Sequence, residues 1–128
     1  EVLADRVRVL GDDHPDTLVS RGNLAGAYEL AGRLGEAIPL YEEVLADRVR
    51  VLGDDHPHTL ASRNNLAHAY ESAGRLGEAI PLFEEVLADC VRVLGADHPH
   101  TLTSRRNLEA AMRARESGSA SASGVAEE

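Results

Sequence analysis

Gly11-Asp12-Asp13-His14-Pro15-Asp16-Thr17-Leu18 returns 42 residues later as Gly53-Asp54-Asp55-His56-Pro57-His58-Thr59-Leu60, and again as Gly95-Ala96-Asp97-His98-Pro99-His100-Thr101-Leu102. Residues 11–52 and 53–94 differ at only 7 of 42 positions. A fixed period of this size is the mark of a solenoid, in which each repeat is one supersecondary unit and neighbours stack to bury a continuous core. Solenoids present long surfaces, and the expectation that follows is binding rather than catalysis.

Working outward from the repeated octapeptide, each unit reads as two antiparallel helices. Helix A spans about Pro15 to Ala31. Asp13 or His14 can cap its start, and Pro15 sits in the first turn, where its missing N–H is not needed. Leu18, Leu24, Ala25, Tyr28 and Ala31 recur at helical spacing, and Gly32 can take the left-handed conformation that closes a helix. Helix B spans about Leu34 to Leu52, with Leu34, Ala37, Ile38, Tyr41, Val44, Leu45 and Leu52 as its apolar stripe and Gly53 as its end. Pro39 and Pro81 fall inside helix B near its first turns, where a bend is expected. No alternating strand pattern occurs, so the fold class is all-α, a right-handed solenoid of antiparallel helix pairs.

The repeats set the domain limits. The solenoid covers 1–115: a partial helix B at 1–10, full repeats at 11–52 and 53–94, and a terminal helix A within 95–115. Residues 1–10 duplicate residues 43–52, so the chain opens inside a repeat and reads as a slice of a longer array. In the last unit Glu109 replaces Ala67, Met112 replaces Tyr70, and Arg113 and Arg115 stand where Glu71 and Ala73 stood. That polarity suits a capping helix. The small-residue segment 116–128 is expected to be a disordered tail.

Composition narrows the function classes. The net charge is −9, and all 13 cations are arginine, a sign of a GC-rich genome. An acidic chain is a poor partner for nucleic acid, whose binding rests on neutralised phosphates. No stretch approaches the ~18 apolar residues that span a bilayer. Cys90 is the single cysteine. It forms no internal disulfide, stands where the previous repeat has Arg48, and reads as incidental in a reducing cytoplasm.

Asn23-Leu24-Ala25-x-Ala27-Tyr28-x-x-Ala31-Gly32-Arg33-x-x-Glu36-Ala37-x-x-Leu40-Tyr41 resembles the tetratricopeptide repeat (TPR). The usual TPR period is 34 and closes on a proline. Here the period is 42, that proline is absent, and helix B is about two turns longer. With Asp-His-Pro before helix A and Leu-Gly after helix B, this form is similar to the repeats of kinesin light chains. Bacterial proteins carry similar arrays, often beside signalling ATPase domains, and a bacterial source is expected. The resemblance implies a TPR-like superhelix whose helix A faces line a concave groove that holds partner peptides.

Five of the seven differences between the full repeats lie in helix A: Asp16/His58, Val19/Ala61, Gly22/Asn64, Gly26/His68 and Leu30/Ser72. Their spacing confines them to a stripe ~120° wide. The stripe fits a groove diversified for recognition, and equally a solvated face free to drift. Val19 and Leu30 are apolar for a merely solvated face, whereas Gly22 and Gly26 offer little to bind with. Beside it runs an invariant line of Asn23, Asn65 and Asn107, whose amides can donate to a peptide carbonyl and accept from a peptide N–H. By the resemblance these three clamp a bound backbone. The other reading of them is a packing role that orders the stack. Asn64, His68, Glu71 and Ser72 make the second repeat the most polar part of the groove, and Arg106 with Arg113 gives the C-terminal end a positive patch.

No catalytic motif is found, and Glu42-Glu43 and Glu84-Glu85 point ~100° apart on their helices rather than forming an acid–base pair. The His56/His58 and His98/His100 pairs invite a metal reading, but the Asp-His-Pro triplet is a helix-start element of the family, and no metal, cofactor or catalytic residue is expected. The first reading is thus a cytoplasmic module that binds an extended segment of a protein or peptide partner, with no nucleic-acid or membrane partner. Two rivals stand beside it: head-to-tail self-association as a structural element, and the sensor arm of a larger signalling ATPase.

Overall fold

The computed structural model describes residues 14–127, with side chains through residue 118. Five helices follow one another: α1 (Pro15–Leu30), α2 (Leu34–Leu52), α3 (Pro57–Ser72), α4 (Leu76–Leu94) and α5 (Pro99–Glu127). The partial helix B expected at residues 1–10 lies outside the described residues, as does Asp13.

Each first helix of a pair starts in the same way. The ring nitrogen Nδ1 of His14 accepts from the Asp16 N–H at 3.1 Å, that of His56 from His58 at 3.0 Å, and that of His98 from His100 at 3.1 Å. The histidine of the triplet is therefore the capping residue. It supplies an acceptor to an N–H that the first turn leaves orphaned, and the following proline presents none. The ends are equally regular. Gly32 and Gly74 take φ of +77°, and the N–H groups of Arg33 and Arg75 reach back to the Tyr28 and Tyr70 carbonyls at 2.8 Å. This six-to-one closure requires a residue without Cβ at the left-handed position. Pro39 and Pro81 are absorbed inside α2 and α4, which run unbroken through them.

Each helix packs against the next along the chain. The core divides in two along the helix axes. The larger cluster joins Ala25, Ile38, Tyr41, Leu66, Tyr70, Ile80, Phe83 and Ala111. A smaller one joins Leu60 near the start of α3 to Val86 and Cys90 in the second half of α4, with Leu94 against them. The antiparallel arrangement causes this: the first half of a helix A meets the second half of the helix B that follows it. A repeated ion pair pins that half. Arg21 reaches Asp47 at 3.0 Å, and Arg63 reaches Asp89 at 2.9 Å. Both guanidinium groups are buried, so each charge needs its partner.

α5 is described as far as Glu127. Extending an existing helix adds one hydrogen bond per residue fixed, alanine is the best residue for it, and no proline intervenes. The glycines there are penalised by only about 1 kcal/mol each.

Candidate peptide-binding groove

Two notches open where successive A helices diverge over the end of the helix B between them. The first, of about 240 Å³, is bounded by Leu18 and Val19 of α1, Arg48, Val51 and Leu52 of α2, and His58 of α3. The second, of about 170 Å³, is bounded by Leu60, Ala61, Asn64 and Asn65 of α3, Cys90 and Leu94 of α4, and His100 of α5. Leu18/Leu60, Val19/Ala61, Arg48/Cys90, Leu52/Leu94 and His58/His100 are all 42 residues apart. The notch is therefore a feature of the repeat, and its chemistry changes from one copy to the next.

The largest change is Arg48 to Cys90. Arg48 crosses the floor of its notch and donates through Nη1 to the Ser62 hydroxyl at 2.9 Å and the His58 carbonyl at 3.2 Å. Burial lowers its pKa from the ordinary arginine value, since little water remains to solvate the cation. In the next seam Cys90 Sγ lies 3.5 Å from Ser104 Oγ, and Cys90 is 3% exposed. The reading of Cys90 as incidental is thus revised: it is a buried seam residue, and a thiol stands on the floor of the second notch where a cation crosses the first. Among the described residues the hydroxyl of Thr101 is buried without a partner, whereas that of Thr59 donates to the Arg48 carbonyl at 3.4 Å.

The residues singled out in the sequence fall into three groups. Asn64 and Asn65 border the second notch, and Asn107 donates to Asn64 Oδ1 at 3.3 Å, which brings three amides together on adjacent A helices. Val19 borders the first notch and is 44% exposed. The remaining positions lie outside both notches. Asn23 is exposed on α1, Leu30 is 92% exposed at its far end, and Ser72 and Arg106 are exposed on α3 and α5. His68 packs edge-on against Phe83, with ring centroids 5.2 Å apart, and its Nδ1 lies 3.5 Å from Glu71 Oε1.

The packing of His68 on Phe83 explains part of the drifting stripe. A Cβ added at Gly26 would lie 3.6 Å from the Tyr41 hydroxyl, which donates to Glu29 at 2.8 Å. The second repeat has Phe83 in place of Tyr41, and His68 occupies the room that the lost hydroxyl leaves. Gly26 with Tyr41 and His68 with Phe83 are two solutions of one packing problem, so these two differences are coupled. Tyr70, equivalent to Tyr28, donates to Glu42 at 3.3 Å and ties α3 to α2.

Sequence reasoning placed His58 in the drifting stripe but missed Arg48 and His100 as notch residues. The Arg48/Cys90 pair was visible as one of the seven differences, but nothing local places a helix B residue on the floor of a groove between A helices. Among the described residues no group of three His, Cys, Asp or Glu side chains gathers as a metal would require. His56 already uses Nδ1 as a helix cap. Nor is any described helix long and apolar enough to cross a membrane.

Comparison with known proteins agrees with this architecture. The tetratricopeptide repeat family matches residues 1–16, 17–58 and 59–100. Among solved structures, a Podosopora anserina protein described as a putative kinesin light chain with nearly identical TPR-like repeats shares 37% identity, with a TM-score of 0.77. The match covers 91% of this chain and 55% of that one. A single-substitution variant of that protein gives the same identity and a TM-score of 0.79. BtubC (BKLC) from P. vanneervenii is 20% identical with a TM-score of 0.80, over 89% of this chain and 46% of that one, a likeness of fold. The chain spans about half the length of these structures. The comparison with curated proteins found no match. By its helix pairs, its 42-residue period and its matched units, the chain belongs to the tetratricopeptide repeat family, in the form found in kinesin-light-chain-like repeats.

Proposed function

We propose that this chain binds an extended segment of a partner protein across the mouths of the two notches. Repeats of this family serve protein–protein interaction. The observation that supports the finer reading is the pair Asn64 and Asn65 at the rim of the second notch, with Asn107 donating to Asn64 from the adjacent A helix. Asn107 spends one Nδ2 hydrogen on Asn64 and keeps a second hydrogen and its Oδ1. Asn65 is exposed, and its amide has no hydrogen-bond partner among the described residues. Amides of this kind pair with a peptide backbone whatever its side chains. The notches take alternate side chains of the segment: an apolar one against Leu18, Val19 and Val51, and a small or polar one against Asn64 and Thr103. The proposed setting is the cytoplasm.

The test is selection from a random-peptide display library on the 128-residue chain, with counter-selection on N65D/N107D. A peptide family that holds the parent and loses at least tenfold in affinity on the double variant supports the reading. Equal affinity for both proteins, with both shown to be folded by circular dichroism, overturns the role of the asparagines. No enrichment at all overturns peptide binding.

A further inference from the structure

Arg48 stands apart from the other arginines of the two full repeats. Between residues 14 and 94, Arg21, Arg33, Arg50, Arg63, Arg75 and Arg92 each pair with a carboxylate. Among the described residues Arg48 pairs with none. Its neighbour in sequence, Asp47, is taken by Arg21 and Arg50. Burial alone lowers the Arg48 pKa, and no nearby carboxylate offsets the shift. A half-buried cation without a counter-ion is costly, and a ligand that brings the missing negative charge removes that cost.

The guanidinium is also only partly used. Its two acceptors, the Ser62 hydroxyl and the His58 carbonyl, both take hydrogens of Nη1. A guanidinium carries five N–H groups, so the edge formed by Nε and Nη2 has no acceptor among the described residues. That edge is a fork that a carboxylate fits with two parallel hydrogen bonds. The same notch has Leu18, Val19 and Val51 on its walls, which suit a methylene stem. An apolar stem that ends in a carboxylate is the side chain of glutamate. The charge of the whole chain does not favour such a ligand, since a net −9 repels anions at long range. The preference is therefore set by contact with Arg48.

We propose that the first notch seats a glutamate of the partner segment, its stem along Leu18, Val19 and Val51 and its carboxylate on the Nε–Nη2 edge of Arg48. This rests on the reading that the chain binds an extended segment, and it names the residue which that segment presents at the first notch. The second notch has Cys90 at the equivalent place and no arginine on its walls, so it offers no second seat. The partner therefore needs one glutamate rather than two, and that residue fixes the register of the segment on the stack. The difference is confined to one position. Ser104 and His100 stand in the second seam where Ser62 and His58 hold Arg48 in the first, so C90R supplies an arginine with the same two acceptors.

The test is to sequence the peptides that a random display library yields on the 128-residue chain, on R48M and on C90R, each checked for folding by circular dichroism. One glutamate position is expected in the motif selected by the parent. R48M is expected to lose that preference and keep the rest of the motif, and C90R to add a second glutamate position. A synthetic peptide of the parent motif is expected to bind roughly tenfold more weakly when its glutamate becomes glutamine, and R48M to abolish that difference. A motif without an acidic position, or a glutamate that R48M leaves in place, would overturn this seat while segment binding stands. No enrichment on the folded parent would overturn both. R48M also cuts the link to Ser62; if it does not fold, a C90R selection with no second glutamate overturns the proposal.

Discussion

At the scale of single residues, Tyr41 and Phe83 hold equivalent places and are not interchangeable. The Tyr41 hydroxyl lies 3.6 Å from where a Cβ at Gly26 would stand, leaving room for a methyl but not for a larger side chain, and donates to Glu29 at 2.8 Å. G26H alone is expected to destabilise the chain, because the imidazole and the hydroxyl compete for one space. Y41F alone loses a hydrogen bond with a net worth of about 1 kcal/mol. G26H/Y41F rebuilds the pair found in the second repeat, so the two effects are expected to couple by about 1 kcal/mol or more, read from urea unfolding of all four proteins. Tyr41 also carries a pH dependence. Burial, then the Glu29 carboxylate, raises its pKa well above the ordinary 10.0. The folded state therefore holds that proton more tightly than the unfolded state. The stabilisation is complete below pH 10 and is lost as pH rises through the folded pKa. Stability measured from pH 9 to 11 is expected to fall in the parent by a component that Y41F lacks.

At the scale of the helix, punctuation made the elements legible. A histidine cap and a proline open each helix A, a glycine closes every helix through α4, and α2 and α4 keep the limits that their apolar stripes imply. What stayed hidden lies between elements. Gly26 and Tyr41 are 15 positions apart, and Asn107 and Asn64 are 43 apart. Their meeting depends on which way two packed helices turn toward each other, which periodicity along one helix does not record. The ion pair between α3 and α4 gives a test at this scale. R63A leaves Asp89, whose side chain is 19% exposed, with only the exposed Arg92 at 3.1 Å as its cation, and about 2 kcal/mol of destabilisation is expected in a denaturant titration. R105A, at an exposed position of α5, is expected to stay within about 0.5 kcal/mol of the parent.

At the scale of the molecule, protection should follow position in the stack, since a solenoid unit is stabilised by its neighbours. α3 is packed by α2 on one side and α4 on the other, whereas α5 has one such neighbour among the described helices. Hydrogen exchange is expected to be slowest in the amides of α3 and fastest toward the end of α5. Equal protection along the chain would mean that the array opens as one unit. The seams themselves carry a last consequence, which concerns heredity rather than energy. Because Leu18 and Leu60 sit at equivalent places, excising residues 19–60 joins Leu18 to Ala61 and reproduces a junction the chain already contains. A gene with such copies can gain or lose one by slippage or unequal exchange, and every contact in the product is one that selection has already seen. Length is then a trait this protein can change in a single mutational event, with its fold intact.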